Sequence, residues 1–163
     1  MACQSTLKSS QMPIVTDIDW NRYLGTWYEI ARFPHRFEKD LVGVTATYTM
    51  KDNGRIAVLN QGYKKSLDGK LKKANGRAKI VGNGTTGHLK VSFFLFFYAD
   101  YYVLALDDKN YSYALVGSST MDYLWILART PFLDDETYQL LVDKAQSLGY
   151  DISKLEKVKQ PKK

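Results

Sequence analysis

Cysteine, histidine and long apolar runs are scarce in this chain of 163 residues. One thiol, Cys3, excludes a disulfide framework and any cysteine-built zinc site. Two histidines, His35 and His88, leave little for metal or triad chemistry, and His35 follows Pro34 in what reads as an exposed loop. No window approaches the roughly 18 uninterrupted apolar residues of a membrane-spanning helix. Catalytic and phosphate-binding motifs are missing as well. Gly82-Asn83-Gly84-Thr85-Thr86-Gly87 fits a G-x-G-x-x-G pattern. The alternating His88-Leu89-Lys90-Val91 follows it where a phosphate cradle requires a helix, so it reads as a hairpin loop. Repeats and low-complexity tracts do not occur. What remains is one domain, long enough to bury roughly 70% of the surface its unfolded form exposes.

Acid is also in short supply: 23 Lys and Arg face 17 Asp and Glu, a net charge of +6. Much of the surplus lies in two runs, Lys64–Lys79 and Lys154–Lys163. The aromatics that a nucleic-acid surface would interleave with them lie elsewhere, mostly in Phe93–Tyr102 and Tyr111–Trp125, so no nucleic-acid partner is expected. The runs read as solvated strand edges and a tail, with attraction to an anionic lipid surface as the second reading.

Aromatic residues are plentiful, at 13%, and hydrophobic residues make up 45%. Residues 1–16 are polar and aperiodic and read as a flexible leader, with the domain proper over 17–160 and a tail over 161–163. One or two helical turns follow over Asp17–Leu24, with Asp17 or Asp19 as N-cap and Gly25 as terminator. Eight candidate strands come next: Trp27–Arg32, Val42–Met50, Ile56–Tyr63, Leu71–Val81, His88–Phe94, Tyr101–Leu106, Tyr111–Ser118 and Tyr123–Arg129. Short turn signals such as Asp52-Asn53-Gly54 and Gly82-Asn83-Gly84 separate them. The economical arrangement is all-β, an eight-stranded antiparallel up-and-down barrel, because closure removes the exposed edges. After Pro131, the acidic Asp134-Asp135-Glu136 opens an amphipathic helix over about 134–148 whose apolar face should pack on the outside of the barrel. A last short strand is expected around Leu155–Val158.

Strand alternation then points to the barrel interior. Val44, Ala46 and Tyr48 share one face, as do Ala74, Gly76 and Ala78, and Leu89, Val91 and Phe93. Small residues at inward positions either leave a ligand cavity or make room for large aromatics in a solid core, and alternation alone leaves both open. Asn60 shares parity with Val58; if inward, its amide needs a ligand or buried water as partner. Trp125 shares parity with Arg129 and Tyr123 and should point inward near mid-barrel, and Tyr98 falls in an aromatic loop near one end.

Two segments carry a resemblance. Gly25-Thr26-Trp27-Tyr28-Glu29-Ile30-Ala31-Arg32 resembles the first signature of the lipocalins, Gly-x-Trp, and Tyr123–Pro131 resembles the third, whose Arg, here Arg129, caps the Trp at the closed end. The resemblance runs from about Asp19 to Gln160 and is strongest to the bacterial outer-membrane lipoprotein type. Two positions depart from that pattern: Leu95-Phe96 stands where Gly-Pro is usual, and the second signature appears as Leu106-Asp107-Asp108.

The resemblance implies a calyx that binds and carries a small hydrophobic ligand, a fatty acid or lysophospholipid, with a sterol, haem or pigment carrier or a membrane-associated stress protein as alternatives. It implies ligand contacts from Trp125, Tyr98, Tyr48, Ala46, Val58, Asn60, Ala78, Val91, Phe93 and Tyr123, and a structural role for Gly25, Trp27 and Arg129. Catalysis, a cofactor and a metal are not expected, and the oligomeric state is monomer or homodimer. Ala2-Cys3 before a polar tether suits a lipidated cysteine, which would anchor the protein at the periplasmic side of a bacterial outer membrane.

Overall fold

A computed structural model describes residues 12–94 and 97–162. Helix α1 (Trp20–Tyr23) is followed by strands β1 (Gly25–Arg32), β2 (Leu41–Met50), β3 (Ile56–Lys64), β4 (Leu71–Ile80), β5 (His88–Phe94), β6 (Phe97–Leu106), β7 (Tyr113–Gly117) and β8 (Leu124–Ala128). Helix α2 (Asp135–Ser147) and a two-residue strand β9 (Glu156–Lys157) complete the chain. Neighbouring strands pair antiparallel in sequence order from β2 to β8; β8 then pairs with β1, and β1 with β2, which closes the barrel. The hairpins β2–β3, β4–β5 and β6–β7 lie at one end, together with α1. The connections β1–β2, β3–β4, β5–β6 and β7–β8 lie at the other, which is the open end.

Two apolar cores follow from strand alternation. One fills the lower barrel with Trp27, Tyr48, Val58, Ala78, Leu89, Val103, Val116 and Leu127. The other lies outside, where Leu141, Val142 and Ala145 of α2 pack on Leu104, Leu115, Leu124 and Ile126. The acidic residues foreseen at the start of α2 divide their work: Asp134 caps the helix by accepting from the Thr137 amide at 2.8 Å, and Asp135 and Glu136 complement the helix dipole.

Several local expectations change. Asp19 alone caps α1, accepting from the Asn21 and Arg22 amides, while Asp17 sits at φ 57 outside it. Leu24 is the C-cap, and Gly25 begins β1. Tyr111 precedes β7 in a turn at φ 51 because its hydroxyl accepts the Asp19 amide at 2.9 Å and ties the turn to α1. Residues 12–16, expected in the leader, lie against the barrel. Met12 is 7% exposed, Val15 exchanges backbone hydrogen bonds with Val103 and Gly87, and Thr16 bridges to Thr86, so residues 12–16 belong to the packed domain. Cys3 and the Leu95-Phe96 departure lie outside the described residues.

The two terminal strands also part in an informative way. β1 pairs with β2 only from Gly25 to Tyr28. Beyond that, the C-terminal segment enters the gap: β9 pairs with Ala31 and Arg32, and the Gln160 amide donates to the carbonyls of Glu29 and Val44 at 2.7 and 2.9 Å.

Candidate functional site

The closed end is built from the signature residues upward. Trp27 is fully buried and donates its indole N–H to the Tyr23 carbonyl at 2.8 Å. The Arg129 guanidinium lies 3.8 Å above the Trp27 ring and donates to the carbonyls of Arg22, Tyr23, Thr26 and Tyr111. Gly25 takes φ 99 beside them, a conformation that a side chain would strain. One fork therefore joins α1, β1 and the β6–β7 turn. Above this floor the hydroxyls of Tyr23, Tyr48 and Tyr101 meet, Tyr48 donating to Tyr101 at 3.1 Å and Tyr101 lying 2.5 Å from Tyr23. Burial pushes the Tyr48 phenol up to about 12, so it remains a hydrogen-bond donor.

The inward residues change character along the barrel. Tyr48, Val58 and Ala78 are 5%, 3% and 1% exposed, close to the floor. Ala46, Asn60, Val91, Phe93 and Trp125 stand on the same inward registers nearer the other end, yet they are only half-buried. Apolar side chains that point into a barrel and still meet solvent line a space that is filled at one end and open at the other. Gly76 is part of that shape, because an added Cβ would fall 2.7 Å from the Phe93 ring.

One expected contact is placed elsewhere. Tyr98 lies within β6, on the register of Asp100 and opposite that of Tyr101. Its ring sits under Lys79 at 4.5 Å and Arg77 at 5.8 Å, whose register is opposite to that of inward Ala78, so it faces the outside of the barrel. The strand begins four residues earlier than the pattern suggested, and a strand alternates faces where a loop would not. Tyr123 is half-buried and stacks on Trp125 at 5.9 Å and 15°.

Near the open end one wall is polar, which sequence reading did not foresee. Arg32 donates to Glu29 and Glu38 carboxylates and to the carbonyls of Glu38 and Leu41. Glu38 also accepts from His35 Nε2 at 2.8 Å and from the Trp125 indole at 3.1 Å. His35 is thus no surface residue: its side chain is 11% exposed and packs edge-on against Trp125 and Tyr123. A short 3-10 turn, Arg36–Glu38, swings the loop back over the mouth and buries it. The available signal was Glu29, two residues after Trp27 and so on the same inward face of β1.

Burial, and then the neighbouring Glu38, push the Glu29 carboxyl well above its ordinary value. Burial would raise Glu38 too, but hydrogen bonds from His35 and Glu29, with the Arg32 charge, hold it below. The pair therefore shares its charge unequally, with the proton held more firmly by Glu29 than by Glu38. A raised acid in the folded state costs stability as pH rises: above the ordinary value of about 4.5 the unfolded chain releases this proton while the folded chain keeps it. Glu29→Gln, which cannot titrate and can still donate to Glu38, should gain stability relative to the wild type between about pH 5 and pH 8. Urea denaturation at the two pH values checks this; a constant difference would mean that Glu29 ionises normally.

Arg32, Glu38, the Trp125 indole and His35 Nε2 are engaged with one another and with the loop, whereas His35 Nδ1 is buried without a partner, and among the described residues no group of His, Cys, Asp or Glu is placed to hold a metal. A closed antiparallel barrel with an arginine-braced floor and an apolar well that opens at one end defines a carrier of a small hydrophobic ligand.

Residues 18–160 match the model of the lipocalin-like domain, and the chain belongs to the lipocalin family. It is 47% identical over 161 residues to the outer membrane lipoprotein Blc of Citrobacter freundii and equally to that of Escherichia coli K12, covering 99% of this chain and 90% of each relative. Temperature-induced lipocalin-1 of Arabidopsis thaliana is 39% identical over 94% of this chain and 85% of its own length. Among solved structures, insecticyanin from Manduca sexta superposes with a TM-score of 0.72 at 22% identity, over 93% of this chain and 85% of that one, which shows the shared fold.

Proposed function

We propose that the calyx carries a long-chain fatty acid or a lysophospholipid, with the acyl chain against Ala46, Val58, Ala78, Val91, Phe93 and Trp125 and the head at the open end. The observation that carries this reading is the row of inward, half-buried apolar residues above the Trp27 floor. Tyr48 supplies the base of the well, Asn60 part of its wall and Tyr123 its rim. Trp20 and Trp27 are 6% and 0% exposed, so Trp125 is the indole that a bound chain reaches. Palmitate or a palmitoyl lysophospholipid should quench tryptophan fluorescence at micromolar concentration, and Trp125→Phe should abolish the signal change. Quenching that persists in that variant would place the ligand elsewhere.

The protein works at a bacterial outer membrane, held there by a lipidated Cys3. The relatives that share 47% of its residues are named outer membrane lipoproteins, and this supports the placement. Several acyl chains on one cysteine anchor stably where one alone does so only marginally. Cell fractionation of the native gene and of Cys3→Ser tests the anchor. The variant should move to the soluble fraction, and equal distribution of both forms would remove it.

A further inference from the structure

The open end of the calyx carries a concentration of unpaired cations. Lys64, Lys65, Lys70, Lys72 and Lys73 surround the β3–β4 connection, all are exposed, and none forms a salt bridge among the described residues. Asp68 is the one acid within that stretch. The β2–β3 and β6–β7 hairpins at the closed end instead balance Asp52, Asp107 and Asp108 with Lys51, Arg55 and Lys109. Positive charge is therefore gathered at the mouth.

Register divides these lysines. β3 and β4 pair without a break from Ile56↔Ala78 to Tyr63↔Leu71, so the faces of Val58, Asn60 and Gly62 and of Ala74, Gly76 and Ala78 continue unchanged to the strand ends. Lys64 and Lys72 stand on that inward register, with Lys72 opposite Gly62. Lys73 stands on the outer one, opposite Gln61, and Lys65 lies in the turn at φ 66. From Ala78 at the floor to Lys72 is six residues, or about 20 Å along the strand. That is room for a long acyl chain below the two ammonium groups.

Arg32, also near the mouth, is not free to receive a ligand. Arg32 is committed to Glu29, Glu38 and two carbonyls, and its charge is met by Glu38. Two neighbouring lysines without counter-ions repel each other and attract a negative group placed between them. A zwitterionic head brings its own ammonium or choline into the same patch and cancels that attraction.

On the reading of the calyx as an acyl-chain site, we propose that Lys64 and Lys72 receive the anionic head of the ligand, so that the protein prefers singly acylated lipids of net negative charge to zwitterionic ones. The shared chemistry is an anion at the head of one chain, whether phosphate or carboxylate. Palmitoyl lysophosphatidylglycerol and palmitoyl lysophosphatidylcholine, both below their micellar concentrations, separate head from chain. Calorimetric titration of the wild type should show a preference of about tenfold for the glycerol lipid, shrinking as salt is raised. Lys64→Ala/Lys72→Ala should lose this preference and keep its affinity for the choline lipid. Lys65→Ala/Lys73→Ala removes the same charge from the turn and the outer register and should keep the preference. Equal affinity of the wild type for both lipids overturns the inference while leaving the calyx in place. Equal loss in the two double variants also overturns it, because the lysines then act as a diffuse field suited to a bilayer surface. Failure of the wild type to bind either lipid overturns the acyl-chain reading itself and this inference with it.

Discussion

Palmitate should bind at least about a hundredfold more tightly than octanoate, with affinity rising steadily across the acids between them. Each methylene removed from water contributes about 0.8 kcal/mol, less the cost of ordering the chain, and about 1.4 kcal/mol is a factor of ten. The gain depends on depth. Inward apolar positions continue from Val91, Phe93 and Trp125 down to Val58 and Ala78, so added carbons keep finding apolar wall. The ladder should flatten once the chain spans the well. Ala46→Trp, which places an indole on an inward position between Trp27 and Asn60, should remove binding of the long acids while the barrel still folds. Titration by tryptophan quenching in the wild type, and by calorimetry in the variant, measures both. Equal affinity for octanoate and palmitate would mean a shallow surface site.

Arg129→Ala should destabilise the fold by about 3 kcal/mol, or roughly 10 °C in Tm, and leave the lipid affinity of the folded protein unchanged. Its guanidinium satisfies four carbonyls and covers the face of Trp27, and alanine strands those acceptors at the base of the barrel. Arg129→Lys should recover little, since a single ammonium cannot reach the fork of acceptors that a planar guanidinium spans. Thermal unfolding with and without ligand separates stability from binding. A large loss of affinity at unchanged Tm would assign Arg129 to the ligand well instead of the floor.

The barrel and its polarity were legible along the chain because both are local in origin. Alternation with period two marks inward and outward faces, and short turns between strands dictate antiparallel neighbours. Together these fixed the eight strands, the inward set Ala46, Val58, Ala78, Val91 and Phe93, and the outer helix with its Leu141 and Ala145 face. Trp27 and Arg129, about a hundred residues apart, could be paired only through their signatures, and the 3.8 Å stack bears that pairing out.

Tertiary structure decided what depends on contacts between distant segments. Tyr98 faces outward because β6 begins at Phe97, and the start of a strand is set by the neighbour it pairs with. His35, polar and next to Pro34, has every local mark of a surface residue. It is buried because the β1–β2 loop folds over the mouth, where Glu38 and Trp125, 87 residues apart in the chain, meet it through a hydrogen-bonded carboxylate. Gln160 holds the gap between β1 and β2 from the far end of the sequence, since the bulged strands leave the carbonyls of Glu29 and Val44 without strand partners there. The basic run at Lys64–Lys73 was visible as charge from the outset. Only barrel closure sets it at the mouth of the well and puts Lys64 and Lys72 on the inward register, because a strand's register acquires an inner side only when the sheet curls around on itself.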